Sequence, residues 1–278
     1  MKKKILVFLM ILFAIVATYS QSWLNSLENA KKMALASNKL IFVDFTASWC
    51  GPCKMMDANV WSKEDVQMQM KNYVTVQIDI DINKDIANSY NIRSIPNLFI
   101  LDPNGKIVEN NMGYRDDKFM ISWLKKYSIN TSFLQNKLIS FYKKPTYSSA
   151  LRLADKYQIY SLYLDKSIKN KFYSVADEYF EIAFKLLKKA KVKNKKMLKQ
   201  KIELFKLRKK AFQGKIKKLN KKLSKFDESS ILTSNQSLFS FLNYITQIQN
   251  NKEEAQKWFD KMSEKDKKIA VLVLKEKL

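Results

Sequence analysis

The chain carries two cysteines, Cys50 and Cys53, separated by Gly51 and Pro52, and has no histidine among its 278 residues. Three kinds of chemistry could use such a pair: a metal site, a structural crosslink or a redox couple. A zinc site needs about four ligands from cysteine, histidine or carboxylate. With no third cysteine and no histidine, that reading is poorly supplied. A crosslink from Cys50 to Cys53 closes so short a loop that its chain-entropy gain is about 2 kcal/mol, against more than ~4 kcal/mol for a loop on the order of 100 residues. Redox chemistry remains. There the thiolate is the nucleophile, and a cysteine at the start of a helix has its thiolate stabilised by free N–H groups and the helix dipole. Cys50 fits that place. Cys53, along the first turn, would be close enough to attack a mixed disulfide while more shielded, and Pro52 is tolerated where the backbone N–H is unpaired anyway. No titratable group lies between the two, which predicts a reducing rather than a strongly oxidising couple.

Positioning the pair takes a strand that ends before it and a helix that begins on it. Residues 40–45 form a short apolar run of strand type, and a helix is predicted from about Cys50 through Val60. Upstream, 22–38 places Trp23, Leu27, Ala30 and Ala34 at helical spacing. Downstream, Ser62-Lys63-Glu64-Asp65 reads as a capping signal for a short helix to about Lys71, and 73–80 alternates as a strand. A short helix fits 86–91; strands fit 98–101 and 106–109 around an Asp102-Pro103-Asn104-Gly105 turn; a closing helix fits 115–127, with Phe119, Met120, Trp123 and Leu124 on one face. That order predicts an α/β unit: a central mixed sheet with helices on both faces.

Beyond it the pattern changes. Residues 128–148 lose their period and include Pro145, which predicts a linker. From Tyr147 onward the chain reads as all-α, with helices over 169–190, 238–248, 253–262 and 266–277. One long helix is predicted over 195–226, where Leu198, Ile202, Phe205, Phe212, Ile216, Leu219, Leu223 and Phe226 share a face opposite lysines. Residues 176–190 and 253–262 resemble helices of tetratricopeptide repeats, but no period of about 34 residues is sustained. The predicted organisation is a signal peptide at 1–20, an α/β domain at 21–130 and a basic helical domain at 131–278.

The signal reading rests on Lys2, Lys3 and Lys4, an apolar run from Ile5 to Ala17, and small or polar residues near Ser20. The run is short of the roughly 18 to 20 residues a membrane span needs, so cleavage is expected, with an uncleaved membrane anchor as the alternative. Either fate places the protein outside the cytoplasm, where disulfides persist; a periplasmic location is expected. Of the net charge of +25, +21 belongs to 131–278, which holds 35 Lys and Arg against 14 Asp and Glu. Two readings stand for that excess: an acidic partner, or a lysine-rich composition spread over solvated helix faces. No nucleic-acid motif accompanies it, and no specific nucleic-acid binding is expected.

The motif WCGPC at Trp49–Cys53, with Asp44 six residues before Cys50 and Ile95-Pro96 further on, resembles the thioredoxin family over about residues 40–127. Asn91-Ile92-Arg93-Ser94, Leu98-Phe99-Ile100 and Gly113 fit the same pattern, and 54–74 is similar to secreted bacterial members of the family and to the thioredoxin-like domains of periplasmic disulfide-reducing systems. The resemblance implies a thioredoxin fold followed by a helical extension. It implies that Asp44 is a buried carboxyl exchanging a proton with Cys53, and that Pro96 lies in a cis-proline loop beside the disulfide. Trp49, Gly51, Pro52, Ile95, Pro96 and Gly113 would then hold the substrate chain. The sequence departs from the family at Thr46, where many members have tryptophan, and at Gln77, near the place of a lysine that tunes the aspartate.

The expected function is an exported thiol–disulfide oxidoreductase that reduces protein disulfides through Cys50 and Cys53, with no cofactor beyond that redox pair and no metal. Its expected partners are protein thiol and disulfide substrates and a membrane electron donor. The alternative is an adaptor whose basic helical domain recruits an acidic partner or client, with the redox domain accessory.

Overall fold

The computed structural model describes residues 23–275. The segment read as a signal and the last residues of the final predicted helix lie outside that range. Among the described residues no helix is long and apolar enough to cross a membrane.

Four strands form one sheet in the order β2-β1-β3-β4. Strand β1 (Leu40–Thr46) pairs parallel with β2 (Tyr73–Asp79) and antiparallel with β3 (Asn97–Leu101), which pairs antiparallel with β4 (Ile107–Met112). Alternation along β1 sends Ile41, Val43 and Phe45 to one face and Leu40, Phe42 and Asp44 to the other. Helix α1 (Leu27–Ser37) covers the first face with Leu27, Ala30 and Ala34. The second face packs beneath α2 (Gly51–Met56), α3 (Glu64–Met70) and α5 (Asp117–Tyr127), with the short α4 (Lys84–Ser89) following β2. The mixed sheet with helices on both faces is therefore present.

Local details differ from the sequence reading. The first helix begins at Leu27, not Ser22, because Ser26 caps it and the backbone of Leu24 is taken up by the edge of β2, bridging Val76. Trp23 thus leaves the helical stripe and packs on Phe42 and Trp61, across the sheet from Leu27. Helix α2 ends in a π-helical turn, Asp57–Trp61. The supposed capping serine does something else: Ser62 donates its hydroxyl to the Ala58 carbonyl, and Lys63 is the residue that caps α3, without a side-chain bond.

The second half comprises α6 (Gln135–Lys143), α7 (Tyr147–Tyr160), α8 (Lys169–Lys189), α9 (Lys195–Phe212), α10 (Ile216–Leu223), α11 (Gln236–Gln247), α12 (Lys252–Asp260) and α13 (Glu264–Lys275). The stretch 128–148 is not a free linker. It contains α6, buries Leu134 and Leu138, and ties Thr131 to α1 through its N–H and the Asn38 carbonyl at 2.9 Å. The long helix expected over 195–226 is two helices. Gly214 adopts φ +69°, a left-handed conformation that costs other residues roughly 1–2 kcal/mol, and the chain turns there between α9 and α10.

No boundary separates the hydrophobic cores. Phe172, Tyr173, Tyr179 and Phe180 of α8 belong to one buried cluster with Leu98 and Ile100 of β3. Helix α8 also lies along the exposed edge of β4, with ion pairs Lys171–Glu109 and Lys106–Glu178 across the seam. The seam has a polar pin. Asp102, fully buried in the β3–β4 turn, accepts from the N–H groups of Asn104 and Lys106, both at 2.8 Å, on one oxygen. Its other oxygen accepts from the hydroxyls of Tyr157 at 2.9 Å and Tyr179 at 2.6 Å. Burial pushes the Asp102 pKa up, and the four donors oppose that rise.

Candidate active site

The cysteine pair sits where β1 hands over to α2. After Thr46 the chain turns so that Cys50 N–H reaches the Ala47 carbonyl at 3.1 Å, and Cys50 caps α2 in an extended conformation. Its Sγ accepts from the Cys53 N–H at 3.2 Å. A sulfur thereby occupies the position a capping oxygen usually fills, next to the unpaired donors of the first turn. The two cysteines are joined as a disulfide, with Cα atoms 5.3 Å apart. Cys53, expected to be the more shielded, is 2 % exposed and Cys50 3 % in the oxidised pair. Ala47, Ile80 and Ile95 pack around both, which levels the difference.

The other residues singled out from the sequence divide into two groups around this pair. Gly51 and Pro52 are exposed, and a Cβ at Gly51 would meet nothing. Ile95 packs against the cysteines, the Ile95–Pro96 peptide is cis, and the buried Pro96 accepts from the Gly113 N–H at 2.8 Å. Gly113 has φ +86°, and Met112 before it is 57 % exposed. Trp49 is 65 % exposed, and its indole N–H donates to Asp81 Oδ2 at 2.8 Å. Asp81, in the loop after β2, therefore orients the rim tryptophan. Next to it, Ile82 is more exposed still, at 82 %. Neither residue stands out in the sequence, because only the parallel β1–β2 crossover brings that loop beside the motif.

Asp44 is 1 % exposed and stands on the sheet face covered by α2, the helix that carries Cys53. Its Oδ2 accepts from Trp61 Nε1 and from Gln77 Nε2, each at 3.2 Å. Its Oδ1 is buried and has no hydrogen-bond partner among the described residues. Burial pushes the Asp44 pKa up to about 7; the Gln77 and Trp61 hydrogen bonds hold it down, and the Asp57 carboxylate adds to the rise. A carboxyl in that range can both take and give a proton near neutral pH. Because two donors already engage Oδ2, the bare oxygen Oδ1 is the better site for an added proton. Gln77 lies directly opposite Asp44 in the β1–β2 register, so its role follows from strand pairing. Trp61, from the π-helical turn, reads in sequence only as an apolar aromatic.

The arrangement is a helix-capping disulfide rimmed by Trp49, Pro52, Ile95 and Met112, on a helix that covers the sheet face holding a buried carboxyl of near-neutral pKa. This part of the chain is similar to known proteins. The family model described as Thioredoxin matches residues 22–126. The thioredoxin of Rickettsia felis is 34 % identical over 97 residues, covering 34 % of this chain and 89 % of that protein. The thioredoxin of Bacillus subtilis is 36 % identical over 94 residues, covering 34 % of this chain and 88 % of that one. Among solved structures, the thioredoxin NaTrxh from Nicotiana alata matches at 34 % identity with a TM-score of 0.29, covering 34 % of this chain and 79 % of that chain.

Proposed function

The chain belongs to the thioredoxin family through residues 22–126, and from that premise we propose that it is an exported reductase of protein disulfides. The observation that carries the reading is the Cys50–Cys53 disulfide at the first turn of α2, the helix that packs on the sheet face holding the buried Asp44. In the reduced enzyme, Cys50 as thiolate attacks one sulfur of a substrate disulfide. A Cys50–substrate S–S bond forms, the substrate S–S bond breaks, and the departing sulfur leaves as a thiolate that picks up a proton. Cys53 then loses its proton to Asp44 and attacks Cys50 Sγ, releasing the second substrate sulfur. Two electrons have passed from the enzyme dithiol to the substrate, and Asp44 returns its proton in the reverse, recharging half-reaction.

Recharging requires a dithiol donor, and for an exported protein that donor is a membrane reductase. Export is supported by Lys2 to Lys4 and the apolar run Ile5 to Ala17. The rim of Trp49, Pro52, Ile95, Pro96 and Gly113 is the proposed seat of the substrate chain. The absence of a titratable group between the cysteines supports the reducing direction, with a potential nearer about −270 mV than about −120 mV.

The deciding experiment is reduction of insulin disulfides by the full chain. Cys50→Ser is expected to abolish it, and Cys53→Ser to accumulate a mixed disulfide with insulin; normal turnover by Cys50→Ser would overturn the mechanism. A second reading makes the helical half a recruiter of acidic clients, favoured by the +21 charge on 131–278. Under it, added salt would weaken capture of acidic clients far more than turnover of a small disulfide.

A further inference from the structure

The helical half holds a partly open cavity of about 360 Å³ between α7, α9 and the first turns of α11 and α13. Leu151, Phe205 and Leu238 give it an apolar floor. Four cations and two carboxylates face it: Arg152, Lys201, Arg208 and Lys265 against Asp155 and Asp266. The carboxylates are already committed. Asp155 accepts from Arg208 Nη2 at 2.7 Å and from Lys265 Nζ at 3.0 Å. Asp266 accepts from the hydroxyls of Ser237 and Ser263.

The cations are not equally spent. Arg152 donates to the hydroxyl and carbonyl of Ser148, which are neutral, and neither Arg152 nor Lys201 has an acidic partner among the described residues. Arg208 is 1 % exposed and its guanidinium is fixed by Gln158 Oε1 at 3.0 Å and by Asp155. Its Nη1 takes no protein acceptor among the described residues. A buried guanidinium costs several kcal/mol to desolvate, so a cavity that keeps one beside two unmatched cations is arranged for a negative guest.

We infer that this cavity binds a small organic anion of at least two negative charges, a phosphate monoester or a di- or tricarboxylate, with its apolar frame on Leu151, Phe205 and Leu238. The excess of two positive charges in the lining sets the least charge of the guest, and the uncommitted Nη1 of Arg208 is a charge-assisted donor for one of its oxygens. The volume lies within the range of small-molecule sites. It has no room for a duplex or a folded protein. The site is independent of the disulfide chemistry and would stand if the redox reading failed.

The test is titration of the full chain with inorganic phosphate and, separately, with citrate, at constant ionic strength set by potassium chloride. One or both should bind saturably by calorimetry and raise the unfolding midpoint above the chloride control. Phosphate alone would identify a phosphate ester as the guest class; citrate alone would identify a carboxylate. Arg152→Ala and Lys201→Ala, both outside the buried core, should each weaken binding about tenfold or more, the loss expected for one charge-assisted contact. Lys217→Ala on α10 should leave it unchanged. Absence of any effect beyond chloride, or an equal loss in Lys217→Ala, would overturn the assignment.

Discussion

Asp44 holds a proton that an unfolded aspartate would release, and this has a measurable cost. Its folded pKa of about 7 lies above the unfolded value of 3.8, so between those values the native chain binds a proton that the unfolded chain does not. The stability this group contributes is therefore full below about 3.8, falls as pH rises through the window, and stays low above about 7. We predict that Asp44→Asn is more stable than the parent at about pH 8, by on the order of a few kcal/mol, and equal to it near pH 4. Urea unfolding of the oxidised protein at both pH values checks this; a constant difference would point to packing instead. Gln77→Leu removes the strongest of the opposing hydrogen bonds, so Asp44 should ionise at higher pH. The pH midpoint of insulin reduction governed by Asp44 should move upward, a shift that simple loss of packing would not produce. At this scale the sequence was informative about the cysteines and Asp44, which are polar groups at motif spacing. It was silent on Trp61, Asp81 and Ile82, whose roles arise from segments far apart in the chain.

The helices and strands were legible wherever one face had one job. The continuous apolar run of β1, the alternation of β2 and the apolar stripe of α5 gave elements close to those observed. Ends and interruptions were less legible, because backbone hydrogen bonding decides them. Trp23 continues a helical spacing, yet Leu24 is claimed by the edge of β2. Across Gly214 the apolar spacing runs on at three and four, so periodicity alone reads through a break that the backbone makes. Gly214→Ala must place a Cβ at φ +69°, and we predict a loss of roughly 1–2 kcal/mol in unfolding free energy with insulin reduction unchanged. A neutral or stabilising result would mean that α9 can extend into α10 at little cost.

The two halves were expected as separate domains, and hydrophobicity patterns could not show otherwise, since a stripe does not reveal which partner covers it. Asp102 is the clearest case. In sequence it is a turn residue; in the fold it is a buried acceptor shared by Asn104, Lys106, Tyr157 and Tyr179. We predict one cooperative unfolding transition, seen alike by tryptophan fluorescence and by helical circular dichroism. Two separated transitions would restore the independent-domain picture. Tyr179→Phe should cost about 1–2 kcal/mol, and Asp102→Ala at least about 3 kcal/mol, because it strands two tyrosine hydroxyls in the core and two N–H groups of the partly buried turn. The same pin limits how this architecture can be recombined. A chimera that grafts the helical half onto a relative with an apolar residue at the hairpin turn would inherit both tyrosines without their acceptor. A chimera given the aspartate but a helical half without the tyrosines would bury a carboxylate short of two of its donors. The aspartate and both tyrosines must therefore be transplanted together, as one unit of inheritance that straddles the apparent border between the halves.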